Sequence, residues 1–138
     1  MSRVISLRVK DDQAQSLDRL ARRFGRSVGA TAGLLLAEKL KEEEFAYIEF
    51  RATPAGRQPY IRGTRLAVWQ VVLIARGFDM DASKVAEAYG FVREEQIRAA
   101  LTYAQAYPGE IDPVIDYVEN FTFEDLTRIV PAAQLIQV

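Results

Sequence analysis

Arg3-Val4-Ile5-Ser6-Leu7-Arg8-Val9-Lys10-Asp11-Asp12 decides how the start of this chain is read. Ile5, Leu7 and Val9 fall on one side of a two-residue period, and Val4, Ser6, Arg8 and Lys10 on the other. That alternation predicts a half-buried strand. Asp11 and Asp12 then supply helix-starting chemistry. A first helix carries Leu17, Leu20, Ala21 and Phe24 on one side and breaks at Gly25-Arg26. Ser27 can cap a second helix, which runs through Thr31, Leu34, Leu35, Ala37 and Leu40. One strand and two short helices cannot bury that much apolar surface alone. The unit is therefore expected to be a dimer that pairs strand to strand. Its charge suits a polyanion: residues 1–26 hold seven basic and three acidic side chains, a balance of +4.

This order resembles the ribbon-helix-helix repressors, the Arc/MetJ-like family, over about residues 2–44. The local marks are Ser6-Leu7-Arg8-Val9 in the strand and Gly25-Arg26-Ser27-Val28 between the helices. The resemblance implies an antiparallel ribbon of two strands that enters the major groove of operator DNA. Carried over by position, Val4, Ser6 and Arg8 face base edges, while Ile5, Leu7 and Val9 face the dimer core. Arg can hold guanine through two donors, Ser can bond several bases, and Val can only touch a thymine methyl. The free N–H groups opening the second helix, from Ser27 and Val28 to Gly29, would hold a phosphate. Lys10 and Arg26 would add phosphate contacts. The plainer alternative is an edge strand followed by a helical hairpin.

Composition narrows the functional classes. There is no cysteine, hence no disulfide framework and no thiolate metal site. There is no histidine, which removes the commonest general base and the commonest nitrogen ligand for zinc. No Gly-rich loop with a following Lys is present, and Ser and Thr lack an activating base. The acidic residues Asp79, Asp81, Asp112, Asp116 and Glu119 have no parallel-sheet pattern to gather them round a metal. The sequence thus argues against an enzyme and for neither cofactor nor metal. The opening residues lack a signal-peptide pattern, and the longest apolar run, from Leu66 to Ala75, is too short to span a bilayer. A cytoplasmic protein without a membrane partner is expected.

Charge is uneven along the chain: residues 109–138 carry one basic and six acidic side chains, −5, against a total of −1. The middle region starts where Phe45 to Phe50 either continues the helix or turns into a short strand. Thr53-Pro54-Ala55-Gly56-Arg57-Gln58-Pro59 is turn material. Three helical patterns follow. The first covers about Ala67 to Arg76 with Gly77 as its cap, the second runs from an Asp81 N-cap to Gly90, and the third from about Arg93 to Ala106. The third has an apolar stripe of Ile97, Ala100, Leu101 and Ala104. Three short helices with a tight turn at Gly90-Phe91-Val92 resemble a helix-turn-helix core.

Pro59-x-Ile61-Arg62-Gly63-Thr64-Arg65-Leu66-x-Val68-Trp69 is the most specific motif in the chain. It resembles the core of the bacterial "domain of unknown function" family four-three-three, over roughly residues 46–118. That resemblance implies an antitoxin module, of the kind commonly encoded beside a PIN-like ribonuclease toxin. The would-be recognition helix opens Arg93-Glu94-Glu95-Gln96, which suits packing or partner contact better than a phosphate-lined groove. Arg62 and Arg65 either bond local carbonyls or reach a partner. Trp69, Val72 and Leu73 read as core.

In the tail, Asp112-Pro113 reads as N-cap and first helical position of a helix to about Asn120. Beyond it, Phe121, Phe123, Leu126, Ile129, Leu135 and Ile136 have no evident core to enter. Either they fold back on the chain or its dimer mate, or they order on a protein partner. In VapB-type antitoxins, which this arrangement resembles, an arginine can enter the acidic, magnesium-binding site of the nuclease. Arg128, the tail's one base, takes that role here.

The expected protein is thus mainly α: a dimeric β-α-α ribbon-helix-helix module (1–45), a three-helix, helix-turn-helix-like module with a short β-hairpin (46–120), and an acidic, apolar tail (121–138). Its expected function is that of a type II antitoxin, homodimeric or larger, that represses its own operator and silences a PIN-like ribonuclease. The alternative is a stand-alone repressor whose C-terminal domain senses a ligand or serves assembly.

Overall fold

The computed structural model of the chain describes residues 1–134. Among them are seven helices and one two-stranded sheet: α1 (Asp11–Phe24), α2 (Val28–Glu44), β1 (Ile48–Thr53), β2 (Gly56–Ile61), α3 (Val68–Arg76), α4 (Ala82–Ala88), α5 (Glu94–Ala106), α6 (Pro108–Glu119) and α7 (Phe123–Ile129). The chain divides into two compact units, Met1–Glu44 and Phe45–Val138.

The first unit is a helical pair. Asp11 and Asp12 lie in the first turn of α1 and Arg22 and Arg23 in its last, each complementing the helix dipole. Gln13 Oε1 accepts from the Lys10 amide at 3.1 Å. Gly25 ends the helix in the left-handed region (φ 64°), so that the Arg26 amide reaches back to Ala21 O at 3.0 Å. Ser27 starts α2, with its Oγ accepting from the Ala30 amide at 3.1 Å.

The expected N-terminal ribbon is absent. Residues 1–10 form no strand, and the only sheet among the described residues is β1–β2, which follows the two helices. Val4, Ile5 and Leu7 are 92%, 77% and 73% exposed. The two-residue period therefore marks no buried face. Alternation fixes a strand only where one side of the pleat is covered and the backbone has an edge to pair with. Neither condition is met here. The β-α-α order is corrected to helix-helix followed by a hairpin, within a mainly helical chain.

The second unit has a closed core. The hairpin pairs Ile48 with Ile61, Phe50 with Pro59 and Thr53 with Gly56. Its turn is held by Thr53 Oγ1, which donates to Gly56 O at 2.6 Å and accepts from the Ala55 amide at 3.2 Å. Ile48 and Ile61 are fully buried with Val68, Val71 and Ala75 of α3, Val85 of α4, Ile97, Ala100 and Tyr103 of α5, and Ile111 and Ile115 of α6. Tyr103 is the hub. Its ring lies 5.1 Å from Phe45, 6.2 Å from Phe50 and 5.0 Å from Tyr107. Its buried hydroxyl donates to the Glu110 carboxylate at 2.8 Å, which satisfies the one polar atom of the cluster.

One helix end keeps its expected cap, and another differs from the sequence reading. Gly77 caps α3 in a right-handed conformation (φ −75°), its amide reaching back to Ile74 O at 3.0 Å, and positive φ values of 54° and 58° follow at Asp79 and Met80. Asp81 then caps α4, accepting from Ser83 N at 3.0 Å and Lys84 N at 3.2 Å. Helix α6 begins at Pro108, and Pro113 sits inside it. Pro108 is as well suited to a first helical position as Pro113, because neither needs an amide hydrogen there.

Candidate functional site

The specific motif from Pro59 to Trp69 builds a joint. Gly63 takes a positive φ of 79° that admits a tight turn. Thr64 closes that turn twice, its amide and Oγ1 both donating to Ile61 O, at 3.1 and 2.9 Å. Ile61 N then donates to Leu66 O at 2.9 Å, which delivers the chain into α3. Arg62 ties the joint to the start of the unit, with its amide 2.7 Å from Tyr47 O and its guanidinium 3.3 Å from Ile48 O. Of the two open readings for Arg62, the structure favours local carbonyl bonding. Arg65 is exposed. Trp69 and Leu73 pack against the core from its rim, and Val72 is buried.

The expected DNA-contacting residues are all exposed. Val4, Ser6, Arg8 and Lys10 lie on the irregular segment before α1 rather than on a strand face, and Arg26 follows the Gly25 turn. The Ser27 hydroxyl is engaged as the α2 cap, and Val28 stands exposed beside it. Between α1 and α2 a cleft of about 280 Å³ is lined by Leu17, Leu20 and Leu35. Leu36 and Leu40 are exposed on α2. The first unit thus combines basic side chains with apolar surface that it does not cover.

The tail is the clearest departure from an inert surface. Thr122 and Asp125 form a reciprocal cap: Thr122 Oγ1 accepts from Asp125 N at 3.1 Å, and Asp125 Oδ2 accepts from Thr122 N at 3.0 Å. These bonds from Thr122 hold the Asp125 carboxyl below its ordinary range, with Arg128 adding a smaller push the same way. A helix so well started would be expected to pack, yet α7 buries no residue. Phe123, Leu126, Ile129 and Val130 are exposed. Phe121 lies against Tyr117, ring centroids 5.6 Å apart. Arg128 is paired within its own helix, 3.1 Å from Glu124 and 3.4 Å from Asp125, in exposed contacts that water screens. Leu135 and Ile136 lie outside the described residues.

Clefts mark the second unit at two places among the described residues. One, of about 550 Å³, is open and lined by Asp79, Asp81, Arg98, Leu101, Thr102 and Gln105. Its charges are committed elsewhere: Asp81 caps α4, Lys84 lies 3.6 Å from Asp79, and Glu94 pairs with Arg98 and holds the guanidinium above its ordinary pKa. Between the hairpin turn and α6, two clefts of about 330 and 190 Å³ adjoin each other. Sequence reasoning did not find this groove, because it forms only when residues 55–59 meet residues 110–117. No described helix is long and apolar enough to cross a membrane.

A hairpin leading through a glycine turn into a buried three-helix core defines a small helical domain. Residues 48–104, from β1 into α5, match the family described as "Protein of unknown function (DUF433)". The match includes neither the first unit nor α6 and α7. No curated protein and no solved structure matches the chain.

Proposed function

We propose that this protein is an antitoxin of the type II kind, which binds a partner ribonuclease through its tail and its own operator through its basic N-terminal unit. The observation that carries the reading is α7: a capped amphipathic helix with three exposed apolar side chains, a fourth at its C-cap, and nothing buried. A helix that leaves its apolar face exposed offers that face to a partner's groove. Phe123, Leu126 and Ile129 supply the apolar grip, and Phe121 the anchor at its base. Arg128 leaves its screened pairs to meet carboxylates of a PIN-like, magnesium-dependent active site, where a guanidinium competes with the metal. The four-three-three resemblance supports this choice of partner.

On the DNA side, Arg3, Arg8, Lys10 and Arg26 supply exposed positive charge to phosphates, with Ser6 and Val4 available to base edges. The uncovered leucines of α1 and α2 support a homodimer or larger assembly that joins first units. Repression of its own gene follows from operator binding.

Two experiments test the reading. Growth of a bacterial host is followed with the neighbouring gene's product expressed alone, with the full chain, and with the chain carrying Leu126→Asp and Ile129→Asp. Rescue by the wild type and not by the variant is expected; equal rescue removes α7 from the mechanism. Binding to DNA upstream of its own gene is then measured at two salt concentrations for wild type and Arg8→Ala. A steep fall with salt and weaker binding by the variant are expected, and indifference to both overturns the DNA assignment.

A further inference from the structure

The groove between the hairpin and α6 and the unpartnered face of α7 belong to the same chain, and they match. Ala55 and Gln58 form one wall of the groove, Pro113, Val114 and Tyr117 the other, and Trp69 lies at its deeper end. Gln58 Oε1 accepts from the Trp69 indole at 3.3 Å, so the polar atom nearest the floor is occupied. The larger of its two clefts is otherwise apolar, while the smaller is also lined by Arg57 and Glu110. Along α6 the groove runs from Glu110 to Tyr117, about 10 Å at roughly 1.5 Å per residue. Helix α7 has seven residues and about the same length. Phe123, Leu126 and Val130 recur at the three- and four-residue spacing that makes one apolar stripe.

The groove's own α7 is fastened outside it. Asn120 donates twice to Asp116 O, from its amide at 3.1 Å and from Nδ2 at 2.7 Å, and Phe121 N donates to Val118 O at 3.3 Å. With the Phe121 ring set on Tyr117, these bonds prolong the end of α6. They release α7 only at Thr122, with its stripe exposed. We propose that in solution the groove is filled by α7 of a second copy, each chain lending its helix to the other.

The exchange covers both apolar faces at once and, being two-fold, closes on itself. It also brings together two segments of charge −5, so added salt strengthens it, the reverse of DNA binding. A partner protein that takes α7 competes with the exchange, but the exchange itself needs neither partner nor DNA.

The chain has no cysteine, which makes cross-linking clean. Full-length Val114→Cys and Leu126→Cys are mixed under mild oxidation, with no DNA or other protein present. The expected result is a covalent heterodimer about tenfold above the homodimer that either variant forms alone, as docking raises the effective thiol concentration. Its yield should rise with salt. The doubly substituted chain is oxidised in parallel. Closure within single chains, with no heterodimer from the mixture, would assign the groove to the chain's own α7 and overturn the proposal. Absence of both products, with circular dichroism unchanged and with Ala55→Cys and Phe123→Cys repeating the result, would also overturn it. Because the readout involves no ribonuclease, either failure leaves the antitoxin reading to its own test.

Discussion

The two units solve the same problem with unequal means. The second gathers fourteen buried apolar residues, Tyr103 among them, from a hairpin, four helices and the turn at Val92. The first has two helices, and of its apolar side chains only Ala21 is buried. At this length a helical pair cannot remove enough surface from water to offset the ordering of its backbone. The difference teaches where stability resides and where it has to come from outside. The second unit is a finished fold, while the first, like α7, is unfinished until something covers it.

The sharpest way to break the contrast is to remove the hub. Tyr103→Ala should cost the second unit about 3–5 kcal/mol, the range for truncating a buried aromatic. Urea unfolding reads it, and a loss under 1 kcal/mol would mean that the aromatic cluster is incidental. The first unit should respond to concentration instead of to one side chain. If its uncovered leucines meet in a homodimer, amide protection in α1 and α2 rises by up to about 1.4 kcal/mol per tenfold increase in protein. Hydrogen exchange at two concentrations decides the matter, and equal protection at both would count against assembly through this unit.

Smaller again is the cap of α4. Asp81→Ala leaves the Ser83 and Lys84 amides without their side-chain acceptor and should lower the second unit's stability by about 1 kcal/mol in thermal unfolding. The smallest effect concerns α7. The folded Asp125 pKa is depressed, so its contribution to the helix is complete above the ordinary aspartate pKa and fades as pH falls through the lower folded value. Amide shifts of Thr122 and Asp125 should follow that titration, and Asp125→Asn should flatten it.

What the sequence made legible was local chemistry. The Gly25 break and the Ser27 and Asp81 caps each rest on one residue's own geometry. Ile97 and Ala100 were readable because they repeat at helical spacing. Tyr103 was not, since its importance comes from Phe45, Phe50, Tyr107 and Glu110, which only the fold assembles. The segment Arg3–Val9 shows the opposite error. Its alternation is plain in the sequence, yet period alone does not provide the covered face a strand requires. In the tail the lack of a core for Phe123, Leu126 and Ile129 was legible. The cap that organises them as a helix was not, because it needs Thr122 and Asp125 to meet reciprocally. The groove was invisible for the same reason as the hub.

One consequence of the Arg62 tie concerns portability. The family match opens at Ile48 and ends at Ala104, but the fold does not respect those limits. Tyr47, one residue earlier, accepts the Arg62 amide and has the Arg93 guanidinium over its ring at 5.4 Å, and Phe45 packs on Tyr103. Ile111 and Ile115, beyond the other limit, are buried. The segment by which this chain resembles others is shorter than the segment that can be lifted out intact. A fragment cut at the resemblance loses both ends of its core, whereas one cut at Phe45 and after α6 carries its architecture with it.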